Sequence, residues 1–425
     1  MKDNLPISSF NRSKSVVKSA MTIGGKKAKQ FSKRAFLSTE NYSKEKEKVD
    51  SEIATLLFEN ISLLKGTAVK ITQALALHNI LPQSIQKELA KSYNQIKPVN
   101  QALVMKIIKN EFKQEHSKLF KEFNLKPFAS ASLGQVHLAT THDNEKLAVK
   151  LQYPSIDKTI QNDIKLVKKF ARFKKGILNI IEEVEEKLYE EIDYEKEMQN
   201  NLWAYEKFNS KNIVVAKVYK EYSTKHVLAT SLIEGLDLYS WLLTEPKQKE
   251  KEKIANAMLN VFAKSVFEYH KMQADPNPAN YIVTHDNKLA LIDFGCVKSF
   301  TQEFIQDYII SYKICTSTDK NKVLNFYKKI GIIKNIEDIS DEVFETKILM
   351  FTQWAIEPFL HDEYKFTKEY LDKGVKLADV FLNKPFFIVK DFVFLDRVSH
   401  GLYSLFAQMD IVVDMRTFRE YLELV

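Results

Sequence analysis

Gln273-Ala274-Asp275-Pro276-Asn277-Pro278-Ala279-Asn280, followed shortly by Leu291-Ile292-Asp293-Phe294-Gly295, sets an Asp, an Asn and a second Asp at steps of five and thirteen residues. Between them run two apolar segments, Tyr281-Ile282-Val283 and Leu289-Ala290-Leu291-Ile292. The residues splitting them, His285-Asp286-Asn287-Lys288, read as the polar turn of a β-hairpin. Such a hairpin brings Asn280 beside Asp293. One carboxylate and one amide oxygen, completed by phosphate oxygens, suit the hard, oxygen-seeking Mg²⁺ ion, and Asp275 is then placed to orient a hydroxyl or a water. A turn rich in Asp, Asn and Pro followed by an ordinary strand would account for either stretch alone. The joint spacing is what favours a site.

The same steps separate the catalytic-loop Asp, the metal-binding Asn and the Asp of Asp-Phe-Gly in protein kinases. A site of that kind also needs a loop over the phosphates and a lysine on the third strand. Upstream, Phe128-Ala129-Ser130-Ala131-Ser132-Leu133-Gly134-Gln135-Val136-His137 precedes Leu147-Ala148-Val149-Lys150, and Lys150 stands where the strand lysine is expected. The loop has one Gly where kinases have a glycine-rich cover, and Ala and Ser restrict φ, so a stiffer cover is expected.

These elements resemble the UbiB/AarF family of atypical kinase-like proteins. The resemblance is carried by the Ala/Ser loop ending in Gly134-Gln135-Val136-His137, by Ala148-Val149-Lys150 followed by Gln152-Tyr153-Pro154, and by the Asp-Pro-Asn and Asp-Phe-Gly stretches. Two further family marks have counterparts. The Lys-x-Gly-Gln element of an N-terminal helical extension is matched by Lys70 and Gln73 within Lys65–Gln73, with Thr72 where the family has Gly. The Glu-x-Asp element is matched by Glu191 and Asp193, and Glu197 falls where the ion-pair partner of Lys150 belongs. Without the family, residues 182–200 read as a charged, solvated helix.

The resemblance covers residues 50–425 and implies an α+β, bilobal protein-kinase-like fold with an N-terminal helical extension and a largely helical C-terminal lobe. It implies an ATP-binding enzyme of the atypical kinase-like ATPase or phosphotransferase type, supporting ubiquinone or related isoprenoid-lipid biosynthesis. ATP and Mg²⁺ are the implied cofactors. Asp275, Lys150 and Glu197 are the implied catalytic set, and Asn280 and Asp293 the metal ligands. Ala129, Ser130, Ala131, Ser132, Gly134, Gln135, Lys150, Ser231 and Ile233 are the nucleotide contacts, the last two in the hinge Ser231–Gly235. The Lys70 helix is implied to lie near Glu191 and Asp193, across the groove a peptide substrate would use, which argues against protein phosphorylation. A small-molecule or lipid phosphotransferase and a nucleotide-gated lipid-binding scaffold remain as alternatives. A conventional protein kinase is the weakest reading, because nothing resembling Ala-Pro-Glu follows Asp293.

Composition agrees with a globular enzyme: 425 residues, 45% hydrophobic, can bury a substantial core. Cys296 and Cys315 are too few and too isolated for a disulfide framework or a zinc site, which favours a reducing compartment. Residues 1–48 hold 12 Lys or Arg against 4 Asp or Glu, so they account for the whole formal charge of +8 and the remaining chain is neutral. This Ser- and Lys-rich arm reads as flexible, without a secretory signal, and no apolar run reaches the length of about 18 residues that a span requires. Peripheral contact with anionic membrane lipids is expected, in the cytoplasm or, for a eukaryotic source, an organelle matrix. Lipid-biosynthesis proteins are the implied protein partners. A neutral body without a nucleic-acid motif argues against RNA or DNA.

Four segments follow: a basic arm over 1–47, a helical extension over 48–120, an N-lobe over 121–235 and a C-lobe over 236–425. Helices are expected over 48–77, 83–96, 101–114, about 157–205 and 254–272, and a strand over His226–Thr230. Apolar periodicity marks Phe304–Ile310 and Phe394–Phe406 as core-facing helices, their aromatic side chains serving packing before a quinone pocket.

Overall fold

The structure is a computed structural model, and it describes residues 99–422 except 132, 172–176, 276, 383–384 and 388. The basic arm, the expected helices over 48–77 and 83–96, Lys70, Gln73 and Ser132 lie outside the described residues. Two compact units are present. The first comprises the described residues up to Met198 together with Val218–Leu232, and the second comprises Gln199–Lys217 and Ile233 onward.

The first unit is built on helix α1 (Gln101–Phe112) and strands β1 (Glu122–Phe123), β2 (Ala129–Ala131), β3 (Gly134–Thr140), β4 (Lys146–Gln152) and β6 (Val227–Ser231). The sheet runs β1-β3-β4-β6, with β2 folding back on β3. Asn100 opens α1 by accepting the Leu103 amide on its side chain at 2.9 Å. Val104 and Ile108 then pack on the sheet with Phe120, Leu147, Val149, Leu151, Val227 and Ala229. Period-two alternation decides what β4 does with its lysine: Leu147, Val149 and Leu151 are buried in this core, so Lys150 emerges on the opposite face.

Helices form over about 157–205 as expected, and they are three: α2 (Ile156–Ala171), α3 (Ile177–Glu191) and α4 (Tyr194–Phe208). Asp193 is the reason α4 starts where it does. Its side chain accepts the Lys196 amide at 2.9 Å, and its carbonyl accepts the Glu197 amide at 2.9 Å.

In the second unit a four-stranded sheet runs β5-β10-β9-β7, from β5 (Ile213–Val215), β7 (Gly235–Asp237), β9 (Tyr281–Thr284) and β10 (Leu289–Leu291). The β9–β10 hairpin forms as read from sequence, with Tyr281 opposite Leu291 and Val283 opposite Leu289. Asn287 takes φ 55° in its turn. Helices α5 (Leu238–Leu242), α6 (Gln248–Phe267), α7 (Gln302–Cys315), α8 (Lys320–Lys329), α9 (Leu349–Ile356), α10 (Lys368–Ala378), α11 (Lys390–Met409) and α12 (Arg416–Leu422) make up most of the rest. Their shared core gathers Ile254, Met258 and Phe262 of α6, Ile305 and Tyr308 of α7, Leu395, Leu402 and Phe406 of α11, and Phe418 of α12.

Two expectations need correction. The helix thought to reach Met272 ends at Phe267, and Lys271–Gln273 is strand β8, paired antiparallel with β11 (Val297–Ser299). His270, at φ 49°, turns the chain between them, an exchange of helix for ladder that periodicity cannot see because Met272 is buried in either state. Ile310, grouped with the core face of α7, is 39% exposed, whereas Ile305 and Tyr308 are buried.

Candidate active site

In the first unit the Lys150 ammonium donates to both carboxylate oxygens of Glu197, at 2.8 and 2.9 Å. Glu197 is 4% exposed and Lys150 19%, so the pair is held in a largely dry position with only the lysine reaching water. The Lys150 ammonium also lies 5.0 Å from the centre of the Tyr194 ring, a cation–π distance. Alternation on β4 and the Asp193 cap on α4 therefore cooperate: one aims the cation and the other places the carboxylate on the first turn of its helix.

Within the Ala/Ser stretch β2 pairs antiparallel with β3, with Ala129 opposite Val136 and Ala131 opposite Gly134. Gly134 is glycine for a reason of space: a Cβ there would meet the Leu151 carbonyl oxygen at 2.4 Å and the Tyr194 hydroxyl at 2.9 Å. Gln135 is buried, and its side chain serves the interior. Its Oε1 accepts the Val99 amide at 3.0 Å and its Nε2 contacts His137 Nε2 at 2.7 Å. His137 Nδ1 lies 2.7 Å from the Asn124 carbonyl, which can only accept, so this ring nitrogen carries the proton and Nε2 is the acceptor. Burial lowers the His137 pKa, which agrees with a neutral ring.

The second unit holds the acidic residues. Strand β8 delivers Ala274 and Asp275, and a short 3₁₀ turn, Pro278–Asn280, leads into β9. The Asn280 amide nitrogen donates to the Asp275 carbonyl at 3.2 Å and approaches its carboxylate at 3.4 Å. Asn280 Oδ1 is thereby turned away from Asp275. Across the hairpin the Ile292 amide meets the Asn280 carbonyl at 3.4 Å, and Asn280 and Asp293 line one small recess with Trp203, Tyr281 and Phe294. Asp293 Oδ1 accepts the Gly295 amide at 2.9 Å. Phe294 is buried, and its carbonyl is held by Asn200 of α4 at 3.2 Å. Tyr281 is held un-ionised, its pKa raised first by burial and then by the Asp275 charge.

The structure thus assembles Lys150 with Glu197 in one unit, and Asp275, Asn280 and Asp293 in the other. Glu191 closes α3, Ser231 ends β6, and Ile233 precedes β7 in the second unit. Sequence reasoning passed over Tyr194, Asn200 and Arg397. Tyr194 had a signal, since it directly follows the Glu-x-Asp element. Asn200 and Arg397 had none, since each acts on a backbone carbonyl far along the chain. Among the described residues no three or more His, Cys, Asp or Glu gather as a metal site, and no helix is long and apolar enough to cross a membrane.

The five-stranded sheet bearing a lysine–glutamate pair, and the loop, hairpin and Asp-Phe-Gly turn on a helical unit, define a protein-kinase-like fold. The chain belongs to the family described as the ABC1 atypical kinase-like domain, which matches residues 63–327. Among curated relatives it is similar to "Atypical kinase coq-8, mitochondrial" of Caenorhabditis elegans, 27% identical over 90% of this chain and 50% of that one. It is also similar to "AarF domain-containing protein kinase 1" of Xenopus laevis, 27% identical over 69% and 59%, and to "Atypical kinase COQ8, mitochondrial" of Saccharomyces cerevisiae, 26% identical over 67% and 57%. The chain therefore spans between half and three fifths of the length of these relatives. A solved structure of the Rv3197–erythromycin complex from Mycobacterium tuberculosis superimposes with a TM-score of 0.62 at 22% identity, covering 91% of this chain and 98% of that one. At that identity the likeness is one of fold.

Proposed function

We propose that this chain is an ATP- and Mg²⁺-binding atypical kinase-like ATPase that supports ubiquinone or related isoprenoid-lipid biosynthesis at a membrane surface. The observation that carries the reading is the two-pronged Lys150–Glu197 pair. An ion pair in a dry position is weak evidence of stabilisation, because desolvation offsets most of its attraction, whereas a fixed lysine is what a nucleotide phosphate requires.

The residues present fit a divalent cation. Asn280, with its amide nitrogen engaged by Asp275, offers its oxygen, and Asp293 lines the same recess. These two would hold Mg²⁺ together with phosphate oxygens. Bound there, the ion neutralises charge on the transferring phosphate. Lys150 binds phosphate oxygens and Glu197 keeps it extended. Asp275 orients the attacking water and accepts its proton. The Ala129–Ala131 and Gly134–Gln135 hairpin covers the phosphates through backbone amides, since the Gln135 side chain is already engaged inside the sheet. Ser231 and Ile233 flank the hinge that meets the base, and Lys70, Gln73, Glu191 and Asp193 regulate access.

The basic residues 1–48 bring the chain to anionic lipid, each contributing about 1 kcal/mol before screening. The mitochondrial names of two relatives support an organelle setting. The test measures ATP binding by calorimetry, ATP hydrolysis, salt-sensitive flotation with anionic vesicles, and quinone content in cells lacking the protein. Wild type is expected to be positive in all four. Asp293→Asn is expected to float normally but to lose hydrolysis and fail to restore quinone. Rescue by Asp293→Asn would remove the catalytic part of the reading in favour of a nucleotide-gated scaffold, and labelled phosphate on a small alcohol or lipid would make the protein a phosphotransferase.

A further inference from the structure

Asp275 sits at the end of a strand whose own ladder stops just short of it. Gln273 of β8 is in register with Val297 of β11, and the Ala274 amide donates to the Cys296 carbonyl at 2.8 Å. The next group along the chain, the Ala274 carbonyl, belongs to the peptide plane that carries the Asp275 amide. Its partner comes from far away: Arg397 Nη2 of helix α11 donates to it at 2.8 Å. Ala274 is fully buried, so this carbonyl has no water to fall back on, and a charged donor is among the stronger partners it could have.

The rest of the Arg397 neighbourhood is arranged around this contact. The guanidinium lies 5.4 Å from the centre of the Phe394 ring, within cation–π reach. The Lys298 ammonium lies 5.4 Å from the same ring and pairs with Asp391 at 2.9 Å. Lys298 lies on β11, opposite Met272 of β8. Asp391, Phe394 and Arg397, at steps of three along α11, therefore grip both strands that frame Asp275 and the Asp-Phe-Gly turn. Arg397 Nε is buried and meets no partner among the described residues. A buried donor left unpaired is unfavourable, so the side chain is not placed to satisfy all its own donors. It is placed to reach Ala274.

We infer that Arg397 is a positioning residue for Asp275, and that helix α11, which lies beyond the residues matching the kinase-like domain, is a working part of the nucleotide site. The assignment rests on the function proposed above. By holding the Ala274–Asp275 peptide plane, Arg397 fixes the backbone from which the Asp275 carboxylate projects, while Asn280 restrains the loop from its other end. Lysine could supply the charge, but not the planar fork that donates to the Ala274 carbonyl while its centre lies near the Phe394 ring.

The experiment compares wild type with Arg397→Ala and Arg397→Lys in the full chain. It measures Mg·ATP turnover, thermal unfolding, and hydrogen exchange in peptides spanning residues 273–281. Arg397→Ala is expected to lower kcat roughly tenfold to a hundredfold, with KM for ATP little changed and loop exchange accelerated. Low millimolar guanidinium, but not methylamine, is expected to restore part of kcat. Wild-type kcat and wild-type loop exchange in Arg397→Ala would overturn the inference, as would a loss of kcat that follows a lowered Tm and that guanidinium does not restore. Should the alanine variant not fold, Arg397→Lys carries the comparison: reduced kcat and faster loop exchange at near wild-type Tm support the assignment, and wild-type values of both overturn it. Absence of ATP binding by the wild-type chain would sink the functional reading instead, and the exchange comparison would still decide whether Arg397 holds the loop.

Discussion

Lys150 and Glu197 are unequal partners, and the inequality makes a testable difference. Removing one member of a dry pair takes the main counter-charge from the other, a loss of up to about 3–5 kcal/mol when the remaining charge has no water. Glu197 is the more buried of the two, so Lys150→Met is expected to destabilise more than Glu197→Gln, in which the lysine still reaches solvent. In Lys150→Met the buried Glu197 carboxylate loses this cation, and burial without it raises the folded pKa above the unfolded value of about 4.3. Folding then takes up a proton, so the variant's deficit should be small at pH 4 and grow as pH rises through that value to 8. Urea denaturation of both variants at the two pH values checks this; equal losses independent of pH would make the pair an ordinary surface bridge. Gly134 shows the same dependence on a single site. No positive φ demands glycine there; the Leu151 carbonyl and the Tyr194 hydroxyl do.

Strand β3 carries a polar chain through an apolar sheet: the Val99 amide, Gln135, His137 and the Asn124 carbonyl are linked end to end. The link joins the residues just before α1 to the strand that follows the Ala/Ser hairpin. It requires a neutral His137, because protonation would place a second donor against Gln135 Nε2. With its folded pKa depressed by burial, His137 contributes stability that is fully present above the unfolded pKa of about 6.5. That contribution is lost as pH falls from there through the depressed folded value. Thermal unfolding from pH 8 to 5 should show Tm falling below about pH 6.5, with a shallower fall in His137→Asn. Identical pH profiles would show that the ring is not the titrating element. The turn from α6 into β8 is an element of the same kind, where His270 at φ 49° replaces the last turn of an expected helix by the strand that carries Asp275.

At the scale of the molecule, the kinase-like domain match ends at residue 327, but the core of the second unit does not. Leu395, Leu402, Phe406, Met409, Phe418 and Leu422 are buried against α6 and its neighbours. Each fully buried side chain of this size contributes roughly 1.5–3 kcal/mol, a sum no domain of marginal stability can forgo. A chain ended after residue 327 is therefore expected to lose cooperative thermal unfolding and to accumulate insoluble, rather than to persist as a minimal nucleotide-binding unit. A soluble product with a sharp transition and ATP binding would show that the C-terminal helices are an appendage.

The spacing of Asp275, Asn280 and Asp293 was legible in the sequence because a single hairpin with its flanking turns carries Asn280 and Asp293, whereas Lys150 was read from a kinase motif and Glu197 only from the family resemblance. The β9–β10 hairpin and helix α1 were legible for the same reason, since turn chemistry and period are properties of neighbouring residues. Hidden were the end of α6 and the points at which the helices over 157–205 begin and end, which depend on which ladder or cap the backbone finds. Also hidden were the inward commitment of Gln135 and the hold of Arg397 on Ala274. Residue types at a given spacing determine which chemistry a chain can perform. Only the tertiary structure decides which buried carbonyl is met by which distant donor, because that pairing is settled by packing across the chain.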